Sequence, residues 1–300
     1  MQSHVKVIFN LCVNIKITCK LGGNIINNKI NQEPPSKKIQ ESITKENDIK
    51  RSMRILLSKF IDIRNKGYIK SIRKGSTGVG ATFEYCIGKK EDSLEEPDFY
   101  GVEIKVRRAY SKSKISLFNY APLGNGTYES KRLLEKYGYP KKNDKHLKRL
   151  YAEAICGDMI KVGLWYYFEL IINGNKLILN VYNHRKELID NTTYWSIETL
   201  KEKISKKLTY LVLIKAWRKY NEEIEYFKYF SFDFYKLKGC DKFIELIKKG
   251  IIKVIFKIDT DSNKEKYGEV LSHGVSFEIE EEKLSNLYNL YDIKKDEFIE

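Results

Sequence analysis

From Met53 onward, stretches with apolar residues at helical spacing alternate with short β-rich runs. Each apolar face must be buried against another layer, so this interleaving restricts the chain to an α/β (α+β) architecture with a mixed sheet flanked by helices. Met53 to Arg64 sets Ile55, Leu56, Phe60 and Ile63 on one helical face, and Val79, Phe83, Cys86 and Ile87 form a second stripe with Glu84 at its edge. Strands are expected at Asp98 to Val106 behind a turn, Ile115 to Tyr120 pairing nearby, Leu164 to Ile172, Lys176 to Tyr182, Leu208 to Ala216 and Ile251 to Ile258. Asn173-Gly174-Asn175 marks a hairpin, and helices are expected at Ile197 to Lys207 and Asp241 to Lys249. The basic stretch from Lys131 to Arg149 reads as a solvated loop and helix, and the aromatic run Tyr226 to Tyr235 as core and hairpin. Tyr194 and Trp195 read as packing against the core or a groove wall.

Ahead of Met53, Val5 to Thr18 alternates like a strand, and a polar run through Pro34-Pro35 to Asp48 reads as a linker. The expected division is residues 1–52 as a dispensable extension with Met53 as an alternative start, 53–290 as the main domain and 291–300 as a tail. Neither a signal peptide nor a membrane span fits the sequence. Five cysteines without a CxxC pair suit reduced thiols in the cytoplasm. A formal charge of +15 and a pI near 9.3 favour a polyanionic partner. Lysine is abundant throughout, which weakens that argument.

The chemistry is concentrated between Glu84 and Lys105. Glu103 and Lys105 stand two apart in a strand, so both side chains leave the same face about 6.5–7 Å apart. A bend at Gly101 can bring Asp98 beside Glu103, and Glu84 can add a third acid from the preceding helix. Two carboxylates this close repel unless a cation lies between them, which makes Mg²⁺ the natural occupant and metal-assisted phosphodiester hydrolysis the matching chemistry. Lys105 is placed to orient or deprotonate water and to counter phosphate charge. E-x-K alone carries no weight in such a chain, since Glu129 to Lys131 and Glu281 to Lys283 also match; a surface ion-pair ladder is the competing reading.

Gly75-Ser-Thr-Gly-Val-Gly-Ala-Thr-Phe-Glu84, Glu96-Pro-Asp98-Phe-Tyr-Gly-Val-Glu103-Ile-Lys105 and Ser116-Leu-Phe118 together resemble the MvaI/BcnI family of type II restriction endonucleases, related to the mismatch-repair nickase MutH. Asp190-Asn-Thr-Thr-Tyr194-Trp195-Ser196, Lys206-Lys207-Leu208, Gly250-Ile-Ile-Lys253-Val254 and His273-Gly274-Val-Ser-Phe277 follow in the family's order. The resemblance implies a PD-(D/E)xK, restriction-endonuclease-like core with catalytic and recognition lobes around a DNA cleft. It also implies metal ligation by Asp98 and Glu103, catalysis by Lys105 with Glu84, Mg²⁺ as cofactor, double-stranded DNA as substrate and a monomer that cuts the strands in turn. A cognate DNA methyltransferase would protect the host DNA. A MutH-like strand nickase and a catalytically inactive DNA-binding protein on the same scaffold are the alternatives.

Base reading is where the chain departs from the family. The family's readers of GC-rich sites carry V-D-x-R-x and H-D-H-G-x-x-F-R-I, where this chain has Val254-Ile-Phe-Lys257-Ile and Leu271-Ser-His273-Gly-Val-Ser-Phe277-Glu278-Ile279. Loss of arginine at both positions implies a target other than CCWGG or CCSGG. Lys257, His273 and Glu278 are the candidate base contacts, and Arg107 and Arg108 the candidate phosphate contacts. Lys74, Ser76, Thr77 and Gly78 can hold a phosphate at a helix start or simply cap the helix.

Overall fold

The computed structural model describes the backbone over residues 37–89, 96–124 and 128–291, and the side chains over the same residues apart from 37–45 and 272–273. The strand expected at Val5 to Thr18 lies outside these residues. The chain divides into two units, Met1–Ile43 and Thr44–Glu300. In the first, the described residues, 37–43, are helical; apart from them, everything discussed below lies in the second.

The helix expected from Met53 is longer than its apolar stripe: α1 runs Lys37–Asn65, so 37–48 is helix rather than linker. Ile49, Met53, Leu56, Phe60 and Ile63 are buried, whereas Ile55 is 40% exposed and falls off the face assigned to it. After β1 (Ile69–Lys70), α2 (Gly78–Cys86) buries Val79 and Phe83, with Ile87 beyond its end. β2 (Glu103–Arg108) follows a tight turn at Tyr100-Gly101, both with positive φ.

Next come β3 (Ile115–Asn119), α3 (Glu129–Tyr137), β4 (Tyr139–Pro140) and β5 (Lys148–Ala154). α3 is not a solvated helix: Leu133, Leu134 and Tyr137 are buried in the core. A meander follows, of β6 (Ile160–Val162), β7 (Tyr166–Asn173), β8 (Lys176–Asn183) and β9 (Leu188–Ser196), with Gly174 supplying the positive φ of the expected hairpin turn. Ser196 caps α4 (Ile197–Lys207) by accepting from the Thr199 N–H. The long hairpin β10 (Tyr210–Asn221) and β11 (Ile224–Leu237) absorbs the aromatic run. α5 (Cys240–Lys248), β12 (Ile252–Thr260), β13 (Val270–Ile279), α6 (Leu284–Leu287) and β14 (Tyr288–Leu290) complete the described chain.

Three sheets result rather than one. The first is ordered β1-β11-β10-β2 with β14 also on β11; the second is β3-β13-β12-β5-β4; the third is β6-β7-β8-β9. β3 therefore pairs with β13, far along the chain, where the sequence suggested a partner nearby. β2 pairs in parallel with β10, Lys105 opposite Leu213. Val212, Ile214 and Ala216 on one face of β10 pack with α1 and α2, while Leu211 and Leu213 on the other face join the core that covers the second and third sheets. Among the described residues no helix is long and apolar enough to cross a membrane.

Candidate active site

Glu103 opens β2 and is 2% exposed, on the sheet face opposite α1 and α2. Its Oε1 accepts from Lys105 Nζ at 2.7 Å. Its Oε2 is buried without a hydrogen-bond partner; Lys207 Nζ, at 3.8 Å, pairs with it only electrostatically. Burial pushes the Glu103 carboxyl above the ordinary carboxylate range, and the nearby Asp98 pushes it in the same direction, against Lys105 and Lys207.

Asp98 precedes the turn, which the Phe99 and Val102 backbones close by exchanging hydrogen bonds of 2.9 and 3.0 Å. Its Oδ2 accepts from the Ile104 N–H at 3.0 Å and its Oδ1 from Lys89 Nζ at 2.6 Å. The strand that carries Glu103 and Lys105 thus orients Asp98 with its own backbone. Two carboxylates accordingly stand among three ammonium groups, of Lys89, Lys105 and Lys207, where the sequence suggested one. Lys89 lies just beyond α2 and Lys207 ends α4. Lys207 falls within a segment that carries the family resemblance; Lys89 had no comparable signal. Glu84 is half-buried on α2, which packs against β2, and its carbonyl accepts from the Lys89 N–H.

The remaining candidates are placed differently from expectation. Arg107, 8% exposed, donates to the carbonyls of Ser111 and Ser113 and pairs with Glu281 at 2.8 Å. Arg108 forms a two-pronged pair with Glu225 at 2.7 Å and donates to the carbonyls of Gly75 and Ser76. Both guanidiniums are committed to the protein's own acceptors, so neither presents an open phosphate fork. Thr77 takes the N-cap position of α2 without a side-chain cap, which removes the hydroxyl capping expected of this loop. Gly78 is buried, a Cβ there would lie 2.6 Å from the Arg73 carbonyl oxygen, and its N–H is bonded to the Gly75 carbonyl. Ser76 is exposed, and Lys74 reaches Glu223 loosely at 3.6 Å in full solvent.

In the second sheet Lys257 and Glu278 bond each other at 2.6 Å, with Ser276 Oγ on the same carboxylate oxygen. They lie on the face opposite the buried Val254, Phe256 and Phe277. His273 lies in β13, its side chain outside the described residues. Trp195 is fully buried and donates to the Tyr120 carbonyl at 3.0 Å, a core position.

A model of the MvaI/BcnI restriction endonuclease family matches residues 57–288. The chain belongs to that family. The restriction endonuclease MvaI in complex with its cognate DNA is 29% identical over 80% of this chain and 97% of that one, with a TM-score of 0.73. MvaI without DNA is 28% identical over 80% and 96%, with a TM-score of 0.50. Comparison with curated proteins gives no match. Membership of the MvaI/BcnI family makes the chain a site-specific DNA endonuclease, and it gives the mixed α and β architecture the restriction-endonuclease-like fold that the motifs implied.

Proposed function

We propose that this protein is a Mg²⁺-dependent type II restriction endonuclease that hydrolyses double-stranded DNA at a short sequence, with Asp98, Glu103, Lys105 and Glu84 as its catalytic group. The observation that carries this reading is the buried Oε2 of Glu103, which accepts no hydrogen bond, beside a second carboxylate. A buried carboxylate oxygen without a hydrogen bond is costly unless a cation is to complete it. Hard oxygen donors suit Mg²⁺, which characteristically takes only one or two carboxylates and completes its shell with water and phosphate oxygens. Among the described residues no group of three or more acids, histidines or cysteines is gathered for a metal.

Asp98 and Glu103 would hold the ion, which supplies charge neutralisation at the phosphoryl oxygens and an acidified water. The Ile104 N–H fixes one oxygen of the Asp98 carboxylate, and Lys89 would have to leave the other oxygen for an ion to be held there. Lys105 Nζ, more accessible than Glu103, would release its hold on Glu103, turn toward the phosphate, counter its charge and orient the attacking water. Cleavage on the phosphoryl 3′ side leaves 5′-phosphate and 3′-hydroxyl ends. The enzyme acts as a cytoplasmic monomer, and a cognate methyltransferase shields the host DNA. Lys257, His273 and Glu278 set a target distinct from CCWGG and CCSGG.

Incubation with mixed-sequence plasmid DNA in Mg²⁺ and in chelator, followed by sequencing of the ends, tests the assignment. Discrete linear fragments in Mg²⁺ alone are expected, and Lys105→Ala and Asp98→Ala should abolish them while leaving most binding. Open-circular product would favour a strand nickase, and uncut but bound DNA an inactive scaffold.

A further inference from the structure

The sheet face that carries Glu103, Lys105 and Arg107 continues along β10. Leu213 lies opposite Lys105, Lys215 opposite Arg107, and Trp217 comes two residues later on the same face. Trp217 stacks on Phe230 with ring centroids 4.6 Å apart and planes within 17° of parallel, and Tyr110 packs on Trp217 at 5.1 Å. Phe230 is the extra residue of a β-bulge: Lys215 faces Ser231 and Ala216 faces Tyr229, leaving Phe230 between. A bulge re-aims a side chain, here onto the catalytic face.

The outermost ring is the informative one. Tyr110 is 86% exposed and holds a φ of 63°, a conformation unfavourable for an aromatic residue. Its neighbours impose it. Ala109 donates to the Ala216 carbonyl at 2.7 Å, and the Arg107 guanidinium grips the Ser111 and Ser113 carbonyls on the far side while anchored to Glu281. The arginine that offers nothing to a phosphate therefore fixes the loop that presents Tyr110. So exposed a ring adds little to the protein's own core, while the strained backbone beneath it is over-determined, a combination that clusters at ligand clamps.

We propose that Tyr110, backed by Trp217 and Phe230, is a wedge that packs against a base step of the bound duplex. The inference rests on the endonuclease reading above. Trp217 lies four residues along the strand from the level of Lys105, about 13 Å, which is less than half of the roughly 34–36 Å turn of B-DNA. A duplex that brings a phosphate to Lys105 and runs along β10 comes within reach of this ladder, and the net charge of +15, with the exposed Lys112 two residues from Tyr110, matches a polyanion. Apolar side chains inserted at a base step unstack it and kink the duplex, giving sequence preference without a base-edge hydrogen bond.

The test uses the duplex carrying the site found by end sequencing, in chelator, with a Trp165→Phe background so that Trp217 reports; Trp195 is fully buried. Binding should quench Trp217 emission. Tyr110→Ala should abolish the quench and weaken binding about fivefold or more, with an unchanged melting temperature because the ring is exposed, and Tyr110→Phe should restore both. If Tyr110→Ala binds as tightly as the unaltered protein and cuts the same site, the wedge is overturned and the endonuclease assignment stands. If the unaltered protein shows no site-specific cutting and no DNA binding, both fall.

Discussion

The surroundings of Glu103 disfavour its ionised form. Burial, and then the charge of Asp98, raise its folded pKa above the unfolded value. Its contribution to stability is therefore full below the ordinary carboxylate range and lost as pH rises through the raised value. At neutral pH, Glu103→Gln should stabilise the fold by roughly 0.5–2 kcal/mol while abolishing cleavage; melting curves should converge at acid pH, where Glu103 is itself neutral. A variant less stable than the parent at neutral pH would refute this. The local part of the site was legible because Asp98, the Gly101 turn, Glu103 and Lys105 are neighbours in sequence, and strand periodicity alone puts two of them on one face. Lys89 and Lys207 were missed because only tertiary packing brings them in. The partners of Arg107 and Arg108 were not legible, because a sequence displays charge but not the acceptors, here Glu281 and Glu225, that pair with it.

The element most at odds with its sequence is α3. Its lysines suggest solvent, yet Arg132 draws it into the core by donating to Glu129 on its own helix and to Asp190 and Thr193 on β9. Burial alone would raise the Asp190 carboxyl, but hydrogen bonds from Arg132, Tyr137 and Thr192 hold it well below the ordinary range. Arg132→Ala should cost about 3–5 kcal/mol in urea unfolding, the cost of stranding buried acids, and an effect under 1 kcal/mol would mean the network is merely superficial. At the other end of the chain, the Ile49 side chain sits 2.6 Å from where a Cβ on Gly101 would lie, so α1 buttresses the turn behind Asp98. A chain beginning at Thr44 should keep its melting temperature, whereas one beginning at Met53 should lose about 2–5 kcal/mol with the Ile49 contact. Equal stability of the two would remove that role.

For the molecule as a whole, periodicity revealed helices interleaved with strands, and the hairpin at Gly174 and α4 fell where the sequence placed them. The division into three sheets was not legible, because β3 finds β13 across most of the chain and nothing local specifies that partner. The net charge makes a global prediction: with six to ten phosphates engaged, DNA affinity should fall about a thousandfold or more between 50 and 200 mM salt, as measured by titration in chelator. A flat salt response would argue that the excess lysine is not used on DNA.

β10 has no solvent side over its first five residues. Leu211 and Leu213 serve one core, and Val212 and Ile214 the other. The strand that sets the register of Lys105 is thus a party wall between two cores of the protein, and neither can loosen without disturbing the other. Substitutions within that shared wall will reach Glu103 and Lys105 as well, so altered specificities should arise more readily at the half-exposed Lys257, away from that wall.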